Sequence, residues 1–150
     1  MNKRIFRAKL RHPSLFGQWI YWNVYGELTT SVGKRHSLQI PRKSGLSMYY
    51  TVNDIRKYID PNTIGEYAGI RDKHKKLIFT GDILSAHYDK QHPDDETREL
   101  VEFDKDGLRF VIQQIGKHHL EPNDMLSSDA QFYEVIGNIV DNPELMEVGI

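Results

Sequence analysis

Residues Glu66–Tyr88 read EYAGIRDKHKKLIFTGDILSAHY, and the fold follows from how this stretch is divided. Tyr67 and Ala68 bring a short strand to its end at Gly69. Arg71 to Lys76, RDKHKK, is wholly polar and suits a solvated turn. Leu77, Ile78 and Phe79 return the chain to a core. Thr80-Gly81-Asp82 breaks that run, and Ile83, Leu84, Ala86 and Tyr88 supply the next strand. Gly81 can take a positive φ or a bulge at little steric cost. Asp82 can accept backbone N–H groups at the strand start, as short carboxylates do in turns. A general-base role for Asp82 beside Tyr67 or Tyr88 is the chemical alternative; the turn role needs fewer assumptions.

Toward the C-terminus, Leu100–Phe103 and Leu108–Ile112 flank Asp104-Lys105-Asp106-Gly107. Asp-Gly between apolar runs predicts a hairpin, with Gly107 in the left-handed position. Leu108, Phe110 and Ile112 are expected to face the core, with Arg109 outside and Val101 and Phe103 across. Phe132–Val140 reads as a strand carrying Gly137, where a bulge or a close backbone approach is expected. Asn138 is placed to bond locally. Asn142 as N-cap and Pro143 as first helical residue fit a final helical turn.

Toward the N-terminus, RIFRAKL (Arg4–Leu10) alternates, placing Phe6, Ala8 and Leu10 on one face and Arg7 and Lys9 on the other. GQWIYWNVY (Gly17–Tyr25) is aromatic and β-branched, a strand with two apolar faces: Ile20, Trp22 and Val24 against Trp19, Tyr21 and Tyr25. Gly26-Glu27 suits a turn. NDIRKYI (Asn53–Ile59) predicts one short helical segment capped by Asn53 and stopped by Asp60-Pro61-Asn62.

The order YxGIRDKxxKxIxxGDIL followed by EVIGNIxxNPEL, after an N-terminal IFRAK and GQWIYW, resembles the YopX family of phage and prophage proteins. The likeness spans Ile5–Trp22, Ile64–Leu84 and Tyr133–Leu145. It implies a β-rich fold, self-association and a phage context, and carries over no catalytic residue. One departure concerns the turn after Asp72-Lys73: the family usually has Asn-Gly there, and this chain has His74-Lys75. A turn is still expected, with its type left open.

Composition narrows the function. Apolar residues at 39% exclude a disordered chain, and the absence of Cys excludes disulfides and cysteine zinc sites. No apolar run reaches the roughly 20 residues a membrane helix needs, and the basic start lacks the apolar core of a signal peptide. A cytoplasmic protein is expected. No Gly-x-Ser-x-Gly, Walker A or GxGxxG pattern is present. His118-His119 would point to opposite faces of a strand, and His87 and His92 with Asp89, Asp94 and Asp95 match no familiar metal spacing. No enzyme activity, cofactor or metal is expected.

Net charge is −1, but it is unevenly spread. Residues 1–50 hold nine Lys/Arg against one acid, and residues 101–150 hold three against ten. Oppositely charged thirds can neutralise one another within a subunit or between subunits. Alternatively the basic third binds nucleic acid. The residues for that reading are Lys34, Arg35, Arg42 and Lys43 on two polar loops, with Trp19 or Tyr21 available to stack on bases.

The expected architecture is mainly β: an SH3-like, partly open barrel from about Ile64 to Val140, with extra N-terminal strands and minor short helices. Residues 1–60 form a basic β sub-structure and 61–150 the barrel region, or the two make one continuous domain. Gly69, Gly81, Asp82, Gly107, Gly137, Asn138 and Pro143 are its structural residues. The expected function is a self-associating, non-enzymatic phage or prophage protein that binds a phage or host protein.

Overall fold

A computed structural model describes residues 4–12, 17–29, 51–86, 96–115, 124–125 and 132–147. The fold is mainly β, as the alternation predicts, and is built as two five-stranded antiparallel sheets that do not close into one barrel. The chain divides into two compact units at Gly69/Ile70, inside a strand. The proline-marked break at residues 60–62 falls earlier, within the first unit.

In the first unit, β1 (Ile5–Lys9) pairs with β2 (Trp19–Asn23), with Phe6 opposite Trp22 and Ala8 opposite Ile20. β2 returns through a turn into β3 (Leu28–Thr29), and β1 pairs on its other side with β4 (Gly65–Arg71). Leu10, Ile20 and Ile55 are buried together, with Trp22, Leu28, Tyr58 and Ile59 packed around them. Ile55 comes from a 3₁₀ helix, Val52–Tyr58. Its start is fixed by Asp54, whose carboxylate accepts the Thr51 N–H at 3.1 Å and the Thr51 hydroxyl at 2.9 Å. The cap is therefore Thr51, two residues before the Asn53 predicted from the sequence, because a Thr-x-x-Asp box satisfies the first donors better.

Two further readings of this unit change. Val24 and Tyr25 leave the strand for the turn and are exposed, Tyr25 at 82%. Arg7, expected on a solvent face, is buried with its guanidinium 4.5 Å over the Trp19 ring. A planar, weakly hydrated cation stacked on an indole tolerates burial in a way an ammonium does not.

In the second unit, the end of β4 neighbours β5 (Leu77–Phe79). The chain then changes sheet at Thr80-Gly81 and enters β6 (Asp82–Ala86). β6 lies between β10 (Tyr133–Asn138) and β7 (Thr97–Asp104); β7 pairs with β8 (Arg109–Gln114), and β8 with β9 (Asp124–Met125). The residues of β5 and β6 are buried throughout, as a strand covered on both faces requires. The predicted β7–β8 hairpin is present, with Val101 opposite Ile112 and Phe103 opposite Phe110. Its outer end is not core: Phe103 is 42% and Leu108 77% exposed. Among the described residues, no helix is long and apolar enough to cross a membrane.

Candidate functional site

The opening stretch holds a densely connected polar group, Asp72. Its carboxylate is buried. Oδ1 accepts the N–H of His74 at 2.8 Å and of Lys76 at 2.9 Å. Oδ2 accepts the N–H of Val135, on β10, at 3.0 Å. The turn is closed by Lys75 N–H to Asp72 O and Asp72 N–H to Lys76 O, and Lys73 N–H donates to Tyr133 O at 2.9 Å. Lys73 Nζ and His74 Nε2 lie 3.5 and 3.4 Å from the Glu134 carboxylate. β10 is an edge strand, and this turn occupies outward-facing backbone groups that another chain would otherwise use for strand addition. Lys75 has φ +65°, a left-handed backbone at a residue other than glycine.

Asp82 is also buried, and its Oδ2 accepts the Phe79 N–H at 2.8 Å across the sheet-switching corner. Gly81 has φ +89°; its N–H donates to Val101 O and its carbonyl accepts from Ile139 N–H, both at 2.9 Å. A side chain at Gly81 would be strained by the backbone alone. Gly69 also has positive φ, within β4. Gly107 does not: the left-handed residue of that hairpin is Leu108, φ +52°.

At the end of β10 the pairing with β6 shifts register between Val135 and Gly137. A Cβ on Gly137 would lie 2.6 Å from Asn142 Oδ1 and 2.7 Å from Leu145 Cδ1, so the glycine serves a close approach. Asn138 Oδ1 accepts from the N–H of Val140 (3.0 Å) and Asp141 (2.8 Å). Pro143 opens the 3₁₀ helix Pro143–Met146. Asn142 precedes it as predicted, but its side chain does not cap it; Oδ1 accepts the Asn138 N–H at 3.3 Å instead.

Lys34, Arg35, Arg42 and Lys43 lie outside the described residues, as do His87, His92, His118 and His119. The two aromatic residues proposed beside the basic loops do not offer stacking surfaces of the kind expected. Trp19 is covered by Arg7 and by Lys9, whose Nζ is 4.9 Å from the ring, and Tyr21 is buried. Two further cations of the first unit, Arg4 and Arg11, are matched locally. Arg4 donates to Glu66 at 2.8 Å, which raises the arginine's already high pKa. Arg11 donates to Asp60 at 2.8 Å; that bond, with the Asn62 N–H, holds the Asp60 carboxyl below its usual range. Among the described residues no three His, Asp or Glu side chains converge as a metal site would need.

A feature the sequence reading passed over recurs through the molecule. Among the described residues, an Asp or Asn opens five of the polar breaks and accepts the N–H two residues ahead: Asn23, Asp60, Asp72, Asp104 and Asn138. Asn23 and Asp72 add a second bond from four residues ahead. The signal was present as an Asp or Asn at or just after the end of these five strands or apolar runs.

The family model for the YopX protein matches residues 18–147, covering both units. The chain belongs to the YopX family. This family membership spans the region in which the Asp72 turn, the Gly81 corner and the β10 bulge lie. A crystal structure of protein EF1440 from Enterococcus faecalis is 21% identical, with 96% of this chain and 98% of that chain covered, at a TM-score of 0.47. At that level the likeness adds nothing to the family assignment. No match was found among curated proteins.

Proposed function

We propose that this YopX-family chain is a non-enzymatic phage or prophage protein that self-associates in the host cytoplasm and acts by binding a phage or host protein. The supporting observation is the set of large apolar side chains left uncovered between residues 136 and 146. Ile136, Ile139, Val140 and Met146 are each more than a third exposed. Single exposed apolar residues are ordinary, whereas several on one short stretch are the usual mark of a contact surface. Light scattering of the purified protein across a hundredfold dilution tests this reading. A mass of two or more chains at the concentrated end is expected; one chain throughout would overturn self-association.

The basic first fifty residues favour a second reading, a nucleic-acid-binding module using Lys34, Arg35, Arg42 and Lys43. It requires salt-sensitive retention on DNA that is lost when all four are changed to alanine. Retention unchanged by those substitutions would remove it.

A further inference from the structure

We infer that Asp106-Gly107, at the tip of the β7–β8 hairpin, is a self-modifying site: in the folded protein it rearranges through a succinimide to isoaspartate. The inference does not depend on the self-association proposed above. This is the one place in the chain where an Asp precedes a glycine, and no Asn precedes one. Both residues lie in the turn that follows Asp104, and both are exposed to water.

The fold holds the other aspartates and leaves this pair unheld. The carboxylates of Asp54, Asp60, Asp72, Asp82, Asp104 and Asp141 each take part in a hydrogen bond. That of Asp106 makes no hydrogen bond or ion pair with a described residue. Its N–H donates to Asp104 Oδ1 at 3.0 Å, and the nearby cation, Arg109, faces Asp104 instead. The Gly107 N–H likewise has no acceptor among the described residues. By contrast, the N–H that follows Asp72 donates to Tyr133 O at 2.9 Å, and the one that follows Asp141 donates to Asn138 O at 2.8 Å. Pro61, after Asp60, has no N–H to give. Gly107 has no side chain to hinder its nitrogen. The packing also keeps a glycine there, since a Cβ would lie 2.7 Å from Asp104 Oδ2 and 3.1 Å from Arg109 Nε.

The reaction needs no partner but water. With the Asp106 carboxyl in its acid form, the Gly107 nitrogen attacks Cγ. The N–Cγ bond forms, and the amide hydrogen leaves with the carboxyl hydroxyl as water, closing a five-membered imide. Water then adds to one of the two imide carbonyls. Opening at N–Cγ restores aspartate. Opening between the nitrogen and the main-chain carbonyl of Asp106 gives isoaspartate, with the chain now running through Cβ and Cγ. Nothing is oxidised or reduced, and the mass is unchanged. The product has one more carbon in the backbone of the turn and a carboxylate on Cα. The change falls outside the paired register, which closes at Asp104 opposite Arg109, so the strands keep their pairing.

Incubating the full-length protein for several weeks at physiological temperature tests this, in native buffer and, in parallel, unfolded in urea. Peptide mapping by mass spectrometry with electron-based fragmentation tells isoaspartate from aspartate at each position. Isoaspartate is expected at residue 106, at comparable rates in the two arms, and not at Asp54, Asp72 or Asp82 of the native arm. Asp106→Glu, which would have to close a six-membered ring, stops the reaction. Asp106→Asn speeds it through the same imide, with loss of ammonia, and is read as a gain in mass as the amide becomes an acid. Circular dichroism shows that the native arm and both variants stay folded throughout; residue 106 is solvent-exposed, so neither substitution disturbs the core. Isoaspartate at residue 106 in the urea arm alone, or in neither arm, overturns the inference, because the folded turn would then protect the pair. Equal accumulation at Asp72 or Asp82 in the native arm also overturns it, because an unheld carboxylate would not be what selects the site.

Discussion

Two turns of the second unit share a local design and differ in what the rest of the chain does with it. The Asp72 turn joins β4 to β5, and the Asp104 turn joins β7 to β8. In both, the opening aspartate accepts the N–H two residues ahead, at 2.8 Å from His74 and 3.0 Å from Asp106. In both, a residue other than glycine takes positive φ: Lys75 at +65° and Leu108 at +52°. Asp72 is buried, and its second oxygen reaches Val135, 63 residues away in the sequence. Asp104 is half-buried, and its second oxygen lies 3.8 Å from the Arg109 Nε. The comparison teaches that a local turn motif acquires structural weight from its long-range bond.

Asp72→Ala tests this with the largest expected effect. Removing the carboxylate leaves three backbone N–H groups without their acceptor and removes one of the bonds that tie β10 to the turn. A loss of about 3 kcal/mol is expected, as for a buried charged acceptor of several bonds. Asp72→Asn is expected to be nearly as harmful. Its amide has one acceptor oxygen, so its NH₂ must face either Val135 N–H or the pair from His74 and Lys76. Urea denaturation gives both numbers; a loss below about 1 kcal/mol for either variant would remove the distinction between the turns.

The left-handed residues give the next effects, of opposite sign. Leu108 is 77% exposed, so Leu108→Gly forfeits little burial and relieves an unfavourable backbone. Stability is expected to rise by about 1 kcal/mol, the strain relief being partly offset by the freer unfolded chain. Lys75→Gly is expected to raise it by roughly 0.5 to 1 kcal/mol for the same reason. The gain at Lys75 depends on the turn being held in place. In the Asp72→Ala background it shrinks toward zero, whereas the Leu108→Gly gain is unchanged there, because the two hairpins share no partner. Equal gains from Lys75→Gly in both backgrounds would show that the turn keeps its shape without Asp72.

These residues also mark what could be read from the sequence. Short apolar runs located the strands around Leu77–Phe79 and Ile83–Ala86, and alternation those around Val101 and Ile112, because both patterns are visible in the residue order. A glycine beside a short carboxylate located the corner at Gly81-Asp82. The reach of Asp72 to Val135 could not be seen, since nothing local to RDKHKK distinguishes a solvated turn from one whose first residue is buried by a distant strand. Arg7 misled for a related reason: charge in an alternating strand reads as outward, but stacking on Trp19 compensates its burial. The Gly107 expectation followed residue preference, while the hairpin register, Asp104 opposite Arg109, puts the left-handed position at Leu108.

The smallest expected effect is the counterpart of the largest. Asp104→Ala removes the acceptor for Asp106 N–H, but Asp106 is exposed and water replaces the bond. It also removes the contact with Arg109, whose side chain is 42% exposed, and an ion pair at 3.8 Å in such surroundings contributes little. The Phe103–Phe110 pair, with ring centres 5.2 Å apart, holds the strands together next to the turn and does not depend on the aspartate. The expected loss is below about 0.5 kcal/mol. A loss comparable to that of Asp72→Ala would mean that the turn-opening carboxylate itself, without its distant partner, carries the stability, and the lesson drawn from the two turns would be wrong.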